Sequence, residues 1–204
     1  MEGQHLNKGT SECASLVKRL ELKDQYTYNH SVRVQDYSLR IGKKLQLSID
    51  RLKDLSYAAL LHDIGKIYVP DEILNKKGKL SLREMEILKK HATDGCEIVK
   101  ETSLSSISEI ILQHHERIDG TGYPSGLKEN EIVLESQIIA VADTFDAMTT
   151  KRVYREARGP QVAIDEIKKR NNRHFSKKIV DAFERVLIID GILPESQANA
   201  RFPS

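Results

Sequence analysis

Apolar residues recur at three- and four-residue steps in one segment after another, and this spacing is the feature that most constrains the fold. In the stretch "HSVRVQDYSLRIGKKL" the step connects His30, Val34, Tyr37, Ile41 and Leu45. One face of an α-helix has this period, whereas a half-buried strand alternates at every second residue. We find no convincing alternation of that second kind and no internal repeat in the 204 residues. The chain is therefore predicted to be all-α, with a single compact helical domain.

Start and stop signals divide the pattern into separate helices. Ser48 is a suitable N-cap for the segment that ends in "HDIGK", where Gly65 loosens the helix end. Ser81 and Glu84 have the spacing of a capping box, and one helix is predicted from there to Lys100. Further helices are predicted at residues 106–118, 134–150, 160–170 and 176–190.

The two ends of the chain are patterned more weakly than its middle. A chain of 204 residues suits one domain with a sizeable core. We expect an N-terminal lead-in at residues 1–23, the main domain at residues 24–193, and a loose C-terminal tail at residues 194–204.

Composition excludes several classes of protein. The net charge of +2 and the absence of Trp argue against a nucleic acid polymer as partner. No apolar stretch approaches the ~18 residues that span a membrane, and the N-terminus lacks the apolar core of a signal peptide. Cys13 and Cys96 lie far apart, which does not suggest a disulfide framework and fits a reducing cytosol. We therefore expect a cytoplasmic location.

Histidines mark the inward faces or the ends of the predicted helices. Five of the seven histidines do so, namely His30, His62, His91, His114 and His115. One histidine on an apolar face is usually a core residue with a hydrogen bond, but five of them are accompanied by Asp63 and Asp143. Buried imidazoles and carboxylates need partners, and a metal ion is the usual partner of such a set.

The acids allow two interpretations. Asp143 lies within the apolar run "IIAVADTFDAM", where a carboxylate is either a cap or ion-pair partner, or a metal ligand. Imidazoles and carboxylates without a thiolate suit iron, manganese or a similar divalent ion. Six or seven ligands exceed the need of one ion and suit two ions with one bridging carboxylate. Such a pair clamps a phosphate ester and lowers the pKa of bound water, which indicates phosphodiester hydrolysis.

Three cations follow the acids at short distance. Lys66 comes three residues after Asp63, and Arg152 and Arg155 come two to three helical turns after Asp143. Each alone is more often a surface charge. Beside a metal site they are candidates for contacts to the substrate phosphate.

The segment "DGTGYPSG", which follows His114 and His115, cannot be regular structure. It holds three glycines and one proline within eight residues. A sharp turn here lets two adjacent histidines at a helix end point at one cluster. Gly122, Tyr123 and Pro124 would form a stiff lip. The alternative is a rigid turn that only supports the histidines.

Three motifs together resemble one family. They are "HDIGK" from His62, "HHERIDGTGYP" from His114 and "VADTFDAMTTKRVYR" from Val141. These residues resemble the HD-GYP family, a branch of the HD-domain metal-dependent phosphohydrolases, and the resemblance runs from about Asp24 to Phe183. It implies an all-helical HD-type fold that linearises cyclic di-GMP to pGpG and often carries it on to GMP. Some members prefer cyclic GMP-AMP.

The resemblance also implies residue roles. The implied metal ligands are His30, His62, Asp63, His91, His114, His115 and Asp143. Asp63 would bridge two ions, with iron the first choice and manganese the second. Lys66, Arg152 and Arg155 would contact phosphate, and the Gly122–Pro124 lip would lie beside the nucleotide. The nucleophile would be a metal-bridging hydroxide, so Asp63 and Lys66 are the side chains that assist catalysis.

The chain also departs from the family pattern. Tyr26 stands where some members carry a glutamate and hold a third metal, so two metals are expected. Val153 stands where proline is common, and "HFS" from His174 replaces a frequent Phe-Asp-Pro. Neither change removes a ligand.

The sequence leaves three candidate functions. The first is a cyclic di-GMP phosphodiesterase, and the second is a cyclic dinucleotide receptor with little turnover. The third is an HD phosphohydrolase of ordinary nucleotides, against which the "GTGYP" loop argues. A sensor or signalling protein partner and a homodimer are left open.

Overall fold

Every regular element in the described part of the chain is helical. The computed structural model describes residues 2–151 and 156–195. The α-helices are α1 (Glu2–Lys23), α2 (Gln25–Lys44), α3 (Ile49–Leu61), α4 (Asp71–Leu74), α5 (Leu82–Lys89), α6 (His91–Lys100), α7 (Ser108–Gln113), α8 (Leu134–Thr149), α9 (Pro160–Lys168) and α10 (Lys177–Ile189). Short 3₁₀ segments cover Ile64–Tyr68, Ser105–Ile107 and Glu129–Glu131. The all-α prediction is confirmed.

Helix α2 is the central element of the domain. It packs against α1, α3, α8 and α10. Val34 and Ile41 are fully buried along it, as their spacing predicted. The ring of Tyr37 meets Phe145 of α8 and Phe183 of α10 edge to face, with centroid distances of 5.3 and 5.6 Å. These contacts fix α8 beside α2, so acids of α8 can reach the histidine of α2.

The helix starts predicted at Ser48 and Ser81 are confirmed. The Ser48 hydroxyl accepts a hydrogen bond from the Arg51 amide at the start of α3. At the start of α5, Ser81 Oγ accepts from the Glu84 amide at 3.3 Å, and Glu84 Oε2 accepts from the Ser81 amide at 2.7 Å. Both caps satisfy amides that have no partner inside their helix.

The single helix predicted from Ser81 to Lys100 is wrong, because a turn at Lys90 separates α5 from α6. Helix α5 has no buried residue, and Met85 is 39% exposed. Helix α6 begins at His91 and buries His91 and Ala92. The break thus separates a helix without buried residues from a helix that buries one face.

Gly65 permits a close backbone approach beside this break. A Cβ atom at Gly65 would lie 2.1 Å from the carbonyl oxygen of His91 and 2.7 Å from the Gly95 amide nitrogen. The 3₁₀ segment that contains Gly65 can therefore lie directly on α6. This contact brings the end of α3 close to the start of α6.

The lead-in segment is a helix that packs on the domain. Cys13, Leu16 and Leu20 of α1 are buried in the main hydrophobic core. Cys13 and Cys96 are both buried and are free thiols. Residues 196–204 of the expected tail lie outside the described part. Among the helices of the described ranges, none has the length and apolar character needed to cross a lipid bilayer.

The close approach at Gly65 yields a stability prediction. Gly65→Ala should lower the free energy of unfolding by about 1–3 kcal/mol, because its methyl group would overlap backbone that cannot move freely. Gly78→Ala is the matched control, since a Cβ there would meet no atom within 4 Å. Urea denaturation of both variants measures the difference. Equal stabilities would contradict the packing described.

Candidate metal centre

Histidines and acids from five parts of the chain converge on one buried site. His30 comes from α2, His62 and Asp63 follow α3, His91 opens α6, His114 and His115 follow α7, and Asp143 lies on α8. The ligand atoms form two sets, each within 4.8 Å: His30, His62 and Asp63 in one, and His91, His114 and His115 in the other. We call them the first and the second set.

Asp63 lies between the two sets. Its Oδ2 atom is 3.4 Å from His62 Nε2 and 3.9 Å from His30 Nε2. Its Oδ1 atom is 3.4 Å from His91 Nε2 in the second set. Asp143 Oδ1 approaches His30 Nε2 at 3.2 Å. One carboxylate thus presents an oxygen to each set, and a second carboxylate joins the first set.

The hydrogen bonds of three histidines define which ring nitrogen carries the proton. The Nδ1 atoms of His62, His91 and His114 each donate to the carbonyl oxygen three residues earlier, at 2.8, 2.7 and 2.5 Å. A carbonyl oxygen only accepts, so Nδ1 must hold the hydrogen. The neutral rings therefore point the lone pairs of their Nε2 atoms into the site.

These lone pairs face one another at short range. His91 Nε2 lies 3.3 Å from His114 Nε2, and both atoms carry a lone pair; His115 Nε2 lies 3.1 Å from His91 Nε2. Two such nitrogens repel each other unless a cation lies between them. Metal–nitrogen bonds of about 2.0–2.1 Å at a roughly right angle would separate two nitrogens by about 3 Å. The residues of the site therefore fit a metal ion, and imidazole nitrogens with carboxylate oxygens suit a divalent one.

Burial and mutual charge set the protonation states of His62, His91 and Asp63. Burial lowers the pKa of His62 and lowers that of His91 to about 4. Burial opposes the ionised form of Asp63, but Lys66 and the surrounding histidines outweigh it and hold the pKa of that carboxyl well below its usual range. His62 and His91 are therefore neutral and Asp63 is charged at pH 7, which are the states in which such groups bind a metal ion.

Asp146 was missed as a functional residue in the sequence. It is buried, and its Oδ2 atom accepts from His30 Nδ1 at 2.7 Å. Arg33 donates to the same carboxylate at 2.6 and 3.0 Å. Burial disfavours a charged His30, but its hydrogen bonds to Asp143 and Asp146 prevail and raise its pKa to about 9. Asp146 thus orients His30, and its helical spacing from Asp143 was the available signal.

Lys66 reaches the site, as its spacing from Asp63 predicted. Its Nζ atom lies 2.6 Å from Asp63 Oδ2. Arg152 and Arg155, the other two predicted phosphate contacts, lie outside the described residues.

The glycine-rich loop contacts the second set directly. The Tyr123 ring stacks on the His115 ring with centroids 4.7 Å apart, and the Lys89 ammonium lies 5.0 Å from the Tyr123 centroid. A Cβ atom at Gly122 would lie 2.4 Å from the Cα atom of Glu116, so this turn has room only for glycine. Pro124 follows Tyr123 through a cis peptide bond.

Glu116 is the second residue that sequence reasoning missed. It is buried, and its Oε1 atom accepts from the amides of Ser125 and Gly126 at 2.7 and 3.2 Å. Its Oε2 atom accepts from the Leu127 amide at 3.0 Å. Glu116 thus holds the far end of the loop against its start. Loop amides need acceptors, and an acid just before the glycines was the available signal.

A cavity of about 250 Å³ opens beside the first set. His30 and Lys66 line the side that faces the ligands. The start of α2, helices α4 and α5 and the chain between them supply the remaining walls.

Comparison with known proteins identifies the family of this chain. Residues 15–179 match the family model described as HD domain. A cyclic di-GMP phosphodiesterase of Thermotoga maritima is 43% identical over 166 residues, which are 80% of this chain and 45% of the relative. A 3'3'-cGAMP-specific phosphodiesterase of Vibrio cholerae is 41% identical over 137 residues, which are 67% of this chain and 32% of the relative.

A solved structure agrees in fold. The phosphodiesterase PgpH HD domain of L. monocytogenes, in complex with cyclic-di-AMP, superposes with a TM-score of 0.65 at 22% identity. The match covers 89% of this chain and 98% of that one. The fold and the histidine-aspartate site define an HD-domain protein. The chain belongs to the HD domain family, in its HD-GYP branch, and spans less than half the length of the two relatives compared.

The protonation states of the histidines yield a pH prediction for protein treated with a chelator. The folded pKa of His91, about 4, is below its unfolded value of 6.5, so the unfolded chain binds the proton first. Stability should therefore fall as the pH drops from 6.5 toward 4, by roughly 1 kcal/mol per pH unit for each such histidine.

The measurement is the free energy of unfolding between pH 5 and 6.5. His30 does not affect this measurement. Its pKa of about 9 in the folded protein is above the unfolded value of 6.5, so its contribution to stability is lost only as the pH rises above 6.5. His91→Gln should show a shallower decline than the unchanged protein. A stability that stays level below pH 6.5 would contradict the assignment of neutral histidines.

Proposed function

We propose that this chain is a metal-dependent phosphodiesterase that hydrolyses cyclic di-GMP to pGpG, GMP or both. The observation that carries the proposal is the position of the Asp63 carboxylate, with one oxygen toward each histidine set and Lys66 at 2.6 Å. This arrangement supports two adjacent cation sites with a positive side chain beside them.

Two divalent ions are proposed, with Asp63 as their shared ligand. His30, His62 and Asp143 would complete one site, and His91, His114 and His115 would complete the other. When bound, such ions polarise a phosphate and lower the pKa of a bound water. The mixed imidazole and carboxylate donors favour iron, with manganese second.

The other residues position the ligands and the substrate. Asp146 holds His30 by its Nδ1 atom, so the Nε2 atom remains directed at the site. Lys66 would pair with a substrate phosphate oxygen, and its charge also keeps Asp63 ionised. Tyr123, stacked on His115, would border the nucleotide with Gly122 and Pro124. Arg152 and Arg155 are proposed as further phosphate contacts on the sequence motif alone.

The names of relatives support the substrate class. The Thermotoga maritima relative is named for cyclic di-GMP and the Vibrio cholerae relative for 3'3'-cGAMP, both cyclic dinucleotides. Cyclic GMP-AMP is therefore the second candidate substrate.

Product analysis tests the proposal. The protein is purified without oxygen, loaded with ferrous iron or manganese, and incubated with cyclic di-GMP or cyclic GMP-AMP. We expect pGpG or GMP from cyclic di-GMP only in the metal-loaded samples. If metal-loaded protein binds the nucleotide without cleaving it, the chain is a receptor and not an enzyme. If it cleaves cyclic GMP-AMP faster than cyclic di-GMP, cyclic GMP-AMP is the preferred substrate.

Asp63→Ala should abolish both metal retention and hydrolysis, because it removes the one ligand that faces both sets. Metal content by elemental analysis and product formation are the two readouts. Asp50→Ala, which removes an exposed acid at the start of α3, is the control and should retain both. Unaltered metal content in Asp63→Ala would refute the bridging assignment.

Lys66→Ala should leave the metal content unchanged and raise KM for cyclic di-GMP by about 10- to 100-fold, the effect of a lost charged hydrogen bond. Steady-state kinetics on protein of measured metal content provide the comparison. Kinetics equal to those of the unchanged protein would remove Lys66 from the substrate site.

A further inference from the structure

The cavity beside His30 and Lys66 has the size of part of a cyclic dinucleotide. Its volume is about 250 Å³, whereas sites for a whole drug-sized ligand have about 300–1,000 Å³. Lys66 lines the cavity and also reaches Asp63. A substrate whose phosphate lies at Lys66 can therefore place one base in the cavity and keep the rest outside it.

The cavity walls suit the flat faces of a base. Four half-buried apolar residues line it, namely Ile73, Leu74, Leu80 and Leu88. Lys76 also lines it, but both carboxylate oxygens of Glu84 hold its ammonium group at 2.8 and 2.7 Å. Apolar walls with few free polar groups are typical of sites that bind an aromatic ring and read its edge.

Asp24 supplies a polar group to this cavity. It is the N-cap of α2, and its Oδ2 atom accepts from the Thr27 amide at 2.9 Å and from the Thr27 hydroxyl at 2.5 Å. Its Oδ1 atom accepts no hydrogen bond from any residue within 2–151 or 156–195. The helix cap thus fixes the carboxylate, and its Oδ1 atom has no donor among the described residues.

We infer that Asp24 determines specificity for guanine at this cavity, an inference that rests on the proposed function. Guanine carries two adjacent donors, N1–H and the N2 amino group, on its Watson–Crick edge, and a carboxylate accepts from such donors. Adenine has an acceptor at N1, which the carboxylate repels. One guanine of cyclic di-GMP occupies the cavity while the adjoining phosphate lies at Lys66.

Asp24→Asn tests this inference with little effect on the fold. Asparagine caps helices as well as aspartate does, so it can still accept from the Thr27 amide. Its amino group would then replace the free oxygen, which exchanges an acceptor for a donor. The variant should therefore lose preference for guanine and gain tolerance of adenine.

The measurement compares cyclic di-GMP with cyclic di-AMP on metal-loaded protein. Both kcat/KM and Kd are determined for each nucleotide. We expect Asp24→Asn to shift the ratio of the two nucleotides toward cyclic di-AMP by about 10- to 100-fold. Asp50→Asn, an exposed acid at the start of α3, should leave the ratio unchanged.

Two results would overturn the inference. One is an unchanged ratio in Asp24→Asn. The other is an equal loss of kcat/KM and affinity for both nucleotides at an unaltered melting temperature. Asp24 would then support the site without recognising the base. Binding without cleavage in the unchanged protein would refute the proposed hydrolysis, but the ratio of Kd values would still decide the role of Asp24.

Discussion

The arrangement depends on one buried negative charge, the carboxylate of Asp63. Burial of a carboxylate costs free energy unless opposite charges or hydrogen-bond donors compensate it. Here Lys66 lies at 2.6 Å, and histidine nitrogens approach both oxygens at 3.4 Å. The elements that carry these groups, α3, the segment after it and α6, are therefore held at fixed separations. Gly65 makes this possible, since any side chain there would separate α6 from the residues that follow Asp63.

Groups behind the ligands do as much to define the site as the ligands themselves. Backbone carbonyls hold the Nδ1 protons of His62, His91 and His114, and Asp146 holds that of His30. Each ring is thereby held with its Nε2 atom directed into the site. Glu116 has a similar part in the loop, because three amides donate to its carboxylate. Rigid support of this kind is what precise ligand geometry requires.

The parts of the fold that local chemistry controls could be predicted. The buried positions of α2, the caps at Ser48 and Ser81, and the gathering of histidines follow from spacing and from side-chain hydrogen bonding over three or four residues. The break at Lys90 could not be predicted in this way. The stretch through Lys90 has helical composition on both sides, and only the different burial of α5 and α6 separates them.

The sequence by itself determined the all-helical class and the chemical identity of the ligands, because helical periodicity and the supply of imidazoles and carboxylates are local properties. Only the tertiary structure decided the partition of the ligands into two sets around Asp63, the support of His30 by Asp146, and the cavity that Asp24 borders. These features join residues more than a hundred positions apart, such as His30 and Asp146, or bring together separate segments, such as the start of α2 and the chain before α5. Their distances depend on how whole helices pack, which no short stretch of sequence encodes.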